Sequence, residues 1–264
     1  MDLQLRGKRA LVTGSTAGIG FAIARRLAAE GAAVWISGRT AARVDAAIAA
    51  IRAEVEGAQL DGVAADVGTA EGAAAITRAA PDLDILVNNA GIFEAVDFEA
   101  IDDAAWARIF EVNVMSGVRL SRHYLPRMLA ANEGRILFIS SESAVQIPVE
   151  MIHYGMTKTA QAALSRGLAE RTAGTRVTVN TVMPGPTRSE GVGGFLKQLA
   201  DARGVDEATV ERDFFTTARP TSLLRRFETV DEIADVVAFV ASPRAAAING
   251  AAVRADGGLV RSVF

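Results

Sequence analysis

Tyr154 and Lys158 lie four residues apart in Tyr154-Gly155-Met156-Thr157-Lys158, so on a helix both side chains share one face. The chain has only 2 tyrosines, and just three of its 28 basic residues are lysines (Lys8, Lys158, Lys197). A lysine four residues after a tyrosine is expected by chance about 0.02 times in a chain of this composition. A free phenol, with a pKa of about 10, trades protons poorly at neutral pH. A nearby ammonium favours the phenolate and lowers that value toward a working range. Lysine is also a compact charge with three donors, able to hold neighbouring hydroxyls. The pair reads as a general acid/base; the alternative is an ordinary surface pair on one helix.

A second constellation is Thr13-Gly14-Ser15-Thr16-Ala17-Gly18-Ile19-Gly20. Glycines between a strand and a helix let the backbone turn sharply and approach a pyrophosphate, and the helix N-terminus adds free N–H groups and a positive dipole end. Gly14, Ser15, Thr16, Gly18, Ile19 and Gly20 are the expected contacts. The spacing is G-x-x-x-G-x-G rather than the general G-x-G-x-x-G, but its place after the first strand is the expected context. About 20 positions on, where an acid would bind the ribose hydroxyls of NAD, stands Ser37-Gly38-Arg39. No carboxylate there repels a 2′-phosphate, and Arg39 offers a planar fork for one. NADP(H) is the expected cofactor, with NAD(H) as the alternative if Arg39 is merely solvated.

These groups need a scaffold, and the apolar pattern supplies one. Strands are expected at Arg9–Thr13, Ala33–Ser37, Gly62–Ala65, Asp84–Val87, Arg135–Ile139 and Arg176–Asn180, with a last one near Ala251–Val253. Helices are expected over Gly18–Glu30, Ala41–Val55, Asp102–Leu129 (interrupted near Pro126) and Met151–Thr172. Near-continuous apolar strands alternating with helices indicate a parallel sheet covered on both faces. Right-handed crossovers make it a doubly wound α/β fold of about seven strands in the order 3-2-1-4-5-6-7. No linker divides the chain, so residues 1–264 are expected to form a single domain. The stretch around 186–227 breaks the alternation and reads as a lid over the site, or else a surface excursion.

Composition narrows the classes. Net charge is −3 with no basic block, which does not suggest a nucleic-acid partner. The absence of cysteine and the presence of only 2 histidines leave no metal-ligand cluster and fit a reducing, cytoplasmic setting. There is no apolar run of signal-peptide or membrane-spanning length.

With these residues in view the chain resembles the short-chain dehydrogenase/reductase family in its single-domain form, over essentially its whole length. Thr13–Gly20 is similar to that family's T-G-x-x-x-G-x-G. Asp66-Val67 resembles the pair that contacts the adenine, and Asn88-Asn89-Ala90-Gly91 the N-N-A-G segment against the cofactor. Asn113, Ser141, Tyr154 and Lys158 match the family's catalytic set in order. Pro184-Gly185, with Thr187, resembles the segment beside the nicotinamide, and Asp256-Gly257-Gly258 a common terminal signature. Spacing selects Ser141 over Ser143, and His153 reads as packing or pocket edge.

The resemblance implies reversible hydride transfer between a nicotinamide and a carbonyl or secondary alcohol. Tyr154 would be general acid/base and Ser141 a second hydrogen-bond donor to the oxygen. Lys158 would lower the Tyr154 pKa and bind the ribose, and Asn113 would hold a water of the proton path. It also implies a homo-oligomer, tetramer or dimer. Basic residues of the lid would suit an anionic or carrier-bound acyl group, as in the 3-oxoacyl-carrier-protein reductases of the family, or are simply solvated; sugar, steroid and small alcohol substrates stay open. The rival readings are a nucleotide-binding regulator without chemistry and an epimerase or dehydratase on the same scaffold.

Overall fold

A computed structural model describes residues 1–263, except for the side chain of Phe195. In chain order the elements are β1 (Arg9–Val12), α1 (Gly18–Ala29), β2 (Ala33–Gly38), α2 (Ala41–Glu54), β3 (Leu60–Ala64), α3 (Ala70–Ala79), β4 (Ile85–Asn88), α4 (Asp103–Phe110), α5 (Ser116–Ala131), β5 (Gly134–Ile139), α6 (Ile152–Glu170), β6 (Val177–Pro184), β7 (Thr187–Arg188), α7 (Glu190–Arg203), α8 (Glu207–Thr217), β8 (Glu228–Thr229), α9 (Val230–Ala241) and β9 (Ala252–Ala255). Seven strands form one parallel sheet in the order β3-β2-β1-β4-β5-β6-β9. This is the expected doubly wound α/β fold in a single domain, its seventh strand being β9 because β7 and β8 form a separate two-stranded pair.

Strand side chains alternate between two cores, as a period of two requires. Val12, Ile85, Val87, Leu137 and Ile139 pack with Ile23, Leu27, Ile51, Ile233 and Val237 of α1, α2 and α9. Leu11, Leu86, Ile136 and Phe138 point the other way, onto Ile76, Leu120, Tyr124 and Met128 of α3 and α5. Burial on both faces explains why the strands read as unbroken apolar runs. The order reverses where β1 lies between β2 and β4, which opens a crevice at the strands' carboxyl ends.

Three differences from the sequence expectation have physical causes. The expected 102–129 helix begins as α4 with Asp102 as its N-cap, but widens into a π-type turn at Glu111–Met115 rather than breaking at Pro126. The Ser116 hydroxyl donates to the Val112 carbonyl at 2.6 Å inside that turn. Helices α3 and α9 were not delimited from the pattern; each begins at a threonine N-cap, Thr69 and Thr229, and α9 has a full capping box with Glu232. The 186–227 stretch is an insertion with its own small core of Leu196, Ala200, Val210, Phe215 and Phe227, in which Phe214 stacks on Phe227 at 5.0 Å. The apolar residues Leu196, Leu199, Phe214 and Phe215 therefore serve the insertion itself; the side chain of Phe195 lies outside the described residues.

The insertion is fastened to the sheet by Glu228. This residue is 4% exposed, and its Oε2 accepts the Gly185 N–H at 3.0 Å. Burial, then the neighbouring Asp256, Glu232 and Glu142 charges, outweigh that bond and push the carboxyl up to about 7. The folded state thus holds a proton that the unfolded chain releases near 4.5, so stability from this group is full below pH 4.5 and is lost as pH rises through 7. Relative to wild type, Glu228→Gln is expected to gain about 2 to 3 kcal/mol between pH 5 and pH 8 in urea unfolding. A difference that does not change with pH would remove the assigned shift.

Candidate active site

Helices α3, α4, α7, α8 and α9 each begin at a residue whose side chain caps them, whereas α1 begins at Ala17, which cannot. Its first N–H groups face a cleft of about 1270 Å³. The cleft is lined by residues following four strands: Gly14 and 16–20 after β1, 37–40 and Arg43 near β2, Ala65–Val67 after β3, and Asn89–Phe93 after β4. Ser189, Glu190 and Gly191 close it from the insertion side.

The loop is held open by its neighbours. Gly14 has φ +63°, and a Cβ on Gly20 would lie 2.3 Å from Asn89 Nδ2 and 2.4 Å from the Gly14 carbonyl, so only glycine fits. Asn89 Nδ2 donates to the Thr13 and Gly14 carbonyls at 2.9 and 3.2 Å, and Thr13 Oγ1 accepts the N–H groups of Asn89 and Ala90 at 3.0 and 2.9 Å. Thus the N-N-A-G segment pins the glycine loop across β1 and β4. Ser15 does not face the cleft: its Oγ donates to the Val12 carbonyl at 2.7 Å and accepts the Ser37 N–H at 2.9 Å, joining β1 to β2. Thr16, Gly18, Ile19, Gly20, Asp66, Val67, Asn89, Ala90 and Gly91 all line the cleft. Pro184, Gly185 and Thr187 are buried behind it, with Thr187 Oγ1 donating to the Gly185 carbonyl at 2.9 Å.

Arg39 lines the β2 end of the cleft together with Arg43, and among the described residues neither is in an ion pair. Arg43 was missed from the sequence; it sits on the first turn of α2, four residues after Arg39, and that spacing is the signal that could have found it. Phe93 and Arg108 are further lining residues without a sequence signal.

The catalytic candidates converge beside this cleft. Lys158 is 4% exposed; its Nζ donates to the Ile139 carbonyl at 2.9 Å and lies 5.5 Å from the centre of the Tyr154 ring. The helix is tied to the exit of β5 by Ser140 Oγ, which donates to the Lys158 carbonyl at 2.8 Å, and by Thr159 Oγ1, which donates to the Ala144 carbonyl at 2.8 Å. A Cβ on Gly91 would stand 3.5 Å from both Lys158 Nζ and Asn113 Oδ1, so the ammonium and the amide lie just behind the cleft wall. Asn113, carried inward by the π-type turn, exchanges two bonds with the Ile92 backbone and donates to Thr157 Oγ1 at 3.0 Å. Its carbonyl accepts from Gln161 Nε2 at 2.6 Å. His153 is buried against Trp106, ring centres 5.7 Å apart, and packs as expected.

Ser141 is the serine that acts on the Tyr154 phenol, lowering it; Ser140 is spent on the helix. The electrostatics differ from the expectation. Burial raises the Tyr154 phenol above its ordinary value, the Glu142 charge raises it further, and Ser141 and Arg219 oppose them. Lys158 is itself pushed down to about 8 by burial, opposed by Glu142. The groups that oppose the rise are Ser141 and Arg219 rather than the lysine. Glu142, adjacent to the serine in sequence, was overlooked; an acid among small residues at a strand exit was the available signal.

The chain's relatives can now be set beside this geometry. The short chain dehydrogenase family profile matches residues 8–199. The chain belongs to that family. Over all 264 residues, and the whole of the relative, it is 52% identical to the uncharacterized oxidoreductase YvaG of Bacillus subtilis (strain 168). The uncharacterized oxidoreductase YvrD of the same strain is 50% identical over 267 residues, again covering all of both chains. Among solved structures, L-sorbose reductase from Gluconobacter frateurii, complexed with NADPH and L-sorbose, superposes with a TM-score of 0.92 at 32% identity, covering 100% of both chains. The protein is an oxidoreductase of the short-chain dehydrogenase family that uses a nicotinamide cofactor, and the uncapped α1 and glycine-walled cleft fit such a group. Among the described residues no helix is long and apolar enough to cross a membrane.

The buried ammonium has a cost in stability. A lysine at about 8 in the fold and 10.5 when free penalises folding fully below pH 8, and the penalty fades as pH climbs from 8 toward 10.5. Lys158→Met, which also loses the bond to Ile139, is expected to gain about 2 kcal/mol at pH 7 by calorimetry. A loss of stability at that pH would contradict the burial cost.

Proposed function

We propose that the protein is an NADP(H)-preferring oxidoreductase that interconverts a carbonyl compound and its secondary alcohol, with Tyr154 as general acid/base. The juxtaposition of Tyr154 with Ser141 and with the buried Lys158 amine carries this reading. A bound nicotinamide would supply or accept the hydride. Tyr154 donates its proton to the developing alkoxide, and Ser141 hydrogen-bonds the same oxygen. Lys158, through the opening beside Gly91, holds ribose hydroxyls and adds positive charge next to the phenol. Asn113 fixes the Ile92 strip and its carbonyl keeps a lone pair for a water leading toward Lys158. Gly14, Thr16, Gly18, Ile19 and Gly20, with the α1 N-terminus, carry the pyrophosphate, and Asp66 and Val67 the adenine. Unpaired Arg39 and Arg43 suit a 2′-phosphate.

The segment around 186–227 serves as lid. Three of its basic residues are neutralised within the fold: Arg203 pairs with Asp213, Arg226 with Glu232, and Arg219 with Glu142 and Glu150. Polar groups around Tyr154 and the full-length likeness to a sorbose reductase favour a hydroxylated ketone, so ketoses lead the substrate panel. A cytoplasmic homo-oligomer built on the free β9 edge of the sheet completes the proposal.

Tyr154→Phe is expected to lower turnover at least about 1,000-fold while NADPH still binds, as read by ketone-dependent loss of NADPH absorbance and by fluorescence titration. Turnover near wild type would reject the assigned acid. Arg39→Ala with Arg43→Ala is expected to raise the KM for NADPH about 10- to 100-fold and leave that for NADH unchanged; equal effects on both cofactors would remove the 2′-phosphate assignment.

A further inference from the structure

Beside the catalytic candidates lies a buried ionic cluster that the mechanism above does not use. Glu142 is 5% exposed. One of its oxygens, Oε2, accepts the Ser141 hydroxyl, and the other, Oε1, lies 3.3 Å from Arg219 Nε. Arg219 is buried too, and its Nη1 reaches Glu150 Oε1 at 3.4 Å and the Ala218 carbonyl at 2.9 Å. Arg219 follows α8, so the pair spans from the exit of β5 to the insertion.

Ser141 has a single hydroxyl proton and more than one claimant. The carboxylate takes it here, while Ser141 Oγ accepts the Ser143 N–H at 3.1 Å. Toward Tyr154 the serine can then act only as an acceptor. To donate to a phenolate, or to a substrate oxygen, it must release Glu142. A charged acceptor holds such a proton about twice as strongly as a neutral one.

We propose that Glu142 and Arg219 are positioning residues for Ser141 and Tyr154, the carboxylate directing the serine proton and the guanidinium anchoring that carboxylate from the insertion. The inference rests on the reading of Tyr154 as the acid. Before reaction the neutral phenol donates to Ser141. Once Tyr154 has given up its proton, the serine O–H swings from Glu142 to the phenolate; only hydrogen bonds are exchanged, and no proton leaves Ser141. Every charge packed around the phenol takes part: Glu142 opposes the phenolate, Arg219 supports it, Lys158 lies over the ring, and Glu150 and Glu228 flank the cluster.

The test uses the titration of Tyr154 itself, which needs neither substrate nor cofactor. Labelling with [13Cζ]tyrosine yields only two phenol signals, because the chain has 2 tyrosines, and Tyr154→Phe assigns them. Tyr124 is buried with its hydroxyl on the Ala80 carbonyl at 2.6 Å, and its phenol is also raised. In the wild type the Tyr154 signal is expected to stay in the protonated position past pH 10. Glu142→Gln removes the charge and weakens the acceptor that holds the serine proton, and is expected to move the midpoint down by about one pH unit. Glu142→Gln with Arg219→Leu also removes the guanidinium that the single variant would otherwise leave buried without the Glu142 carboxylate. It is expected to shift the midpoint in the same direction but less, since Glu142 acts on the phenol more strongly than Arg219 does. NADPH fluorescence titration confirms that each variant is folded. Should the single variant fail to fold, the double one decides. An unmoved Tyr154 midpoint in the folded variant, with only a lower melting temperature, would overturn the proposal and leave the cluster a purely structural tie. Failure of the functional reading is seen separately, as turnover retained by Tyr154→Phe.

Discussion

A lysine ammonium buried beside a tyrosine ring is the constraint around which the rest of this molecule is arranged. Lys158 is almost wholly removed from solvent, and its Nζ has one backbone carbonyl, Ile139, as hydrogen-bond partner. Burying a charge is unfavourable unless the surroundings supply compensation. They do so by oriented groups at a strand exit: the Ile139 carbonyl, the Ser140 bond that fixes the lysine's own backbone, and the Glu142 charge. An ammonium held this way keeps spare donors beside Gly91, where a Cβ would stand 3.5 Å from it.

The fold's contribution is to bring four chain segments to one place. Residues after β1 and β4 are cross-linked by Thr13 and Asn89, so the cleft and the wall in front of Lys158 form one connected unit. The π-type turn inserts Asn113 into that wall, where it clamps Ile92 and reaches α6 through Thr157. An irregular turn inside a helix at this point is consistent with the tendency of such turns to mark functional positions. The insertion then contributes Arg219 to the serine's surroundings and Glu228 to the Gly185 turn. It is thus coupled to the site by buried charges rather than by its apolar residues, which form their own core.

Much of this was legible before any coordinates. Periodicity alone specified a doubly wound parallel sheet, because strands covered on both faces must be apolar at successive positions. The +4 spacing of Tyr154 and Lys158 placed them on one helical face, and the position of the glycine loop between strand and helix marked a wall of the cleft. Local signals failed where structure is irregular. The two-residue strands β7 and β8 are too short to show a period, and the π-type turn leaves the helical pattern intact on both sides. Arg43 and Arg108 look like any exposed helix residue until the cleft is seen.

The sequence by itself determined the fold class, the family and which residues could do chemistry, since these depend on residue type and on spacing along a single element. Tertiary structure alone decided how their charges combine. Ser15 is turned inward because its hydroxyl, bonded to the Val12 carbonyl, also accepts the N–H of Ser37, 22 residues further along the chain. The Tyr154 phenol is raised rather than lowered because burial and Glu142 outweigh Ser141 and Arg219. Those effects come from distance and desolvation between segments remote in the chain, and neither quantity is written in the order of the residues.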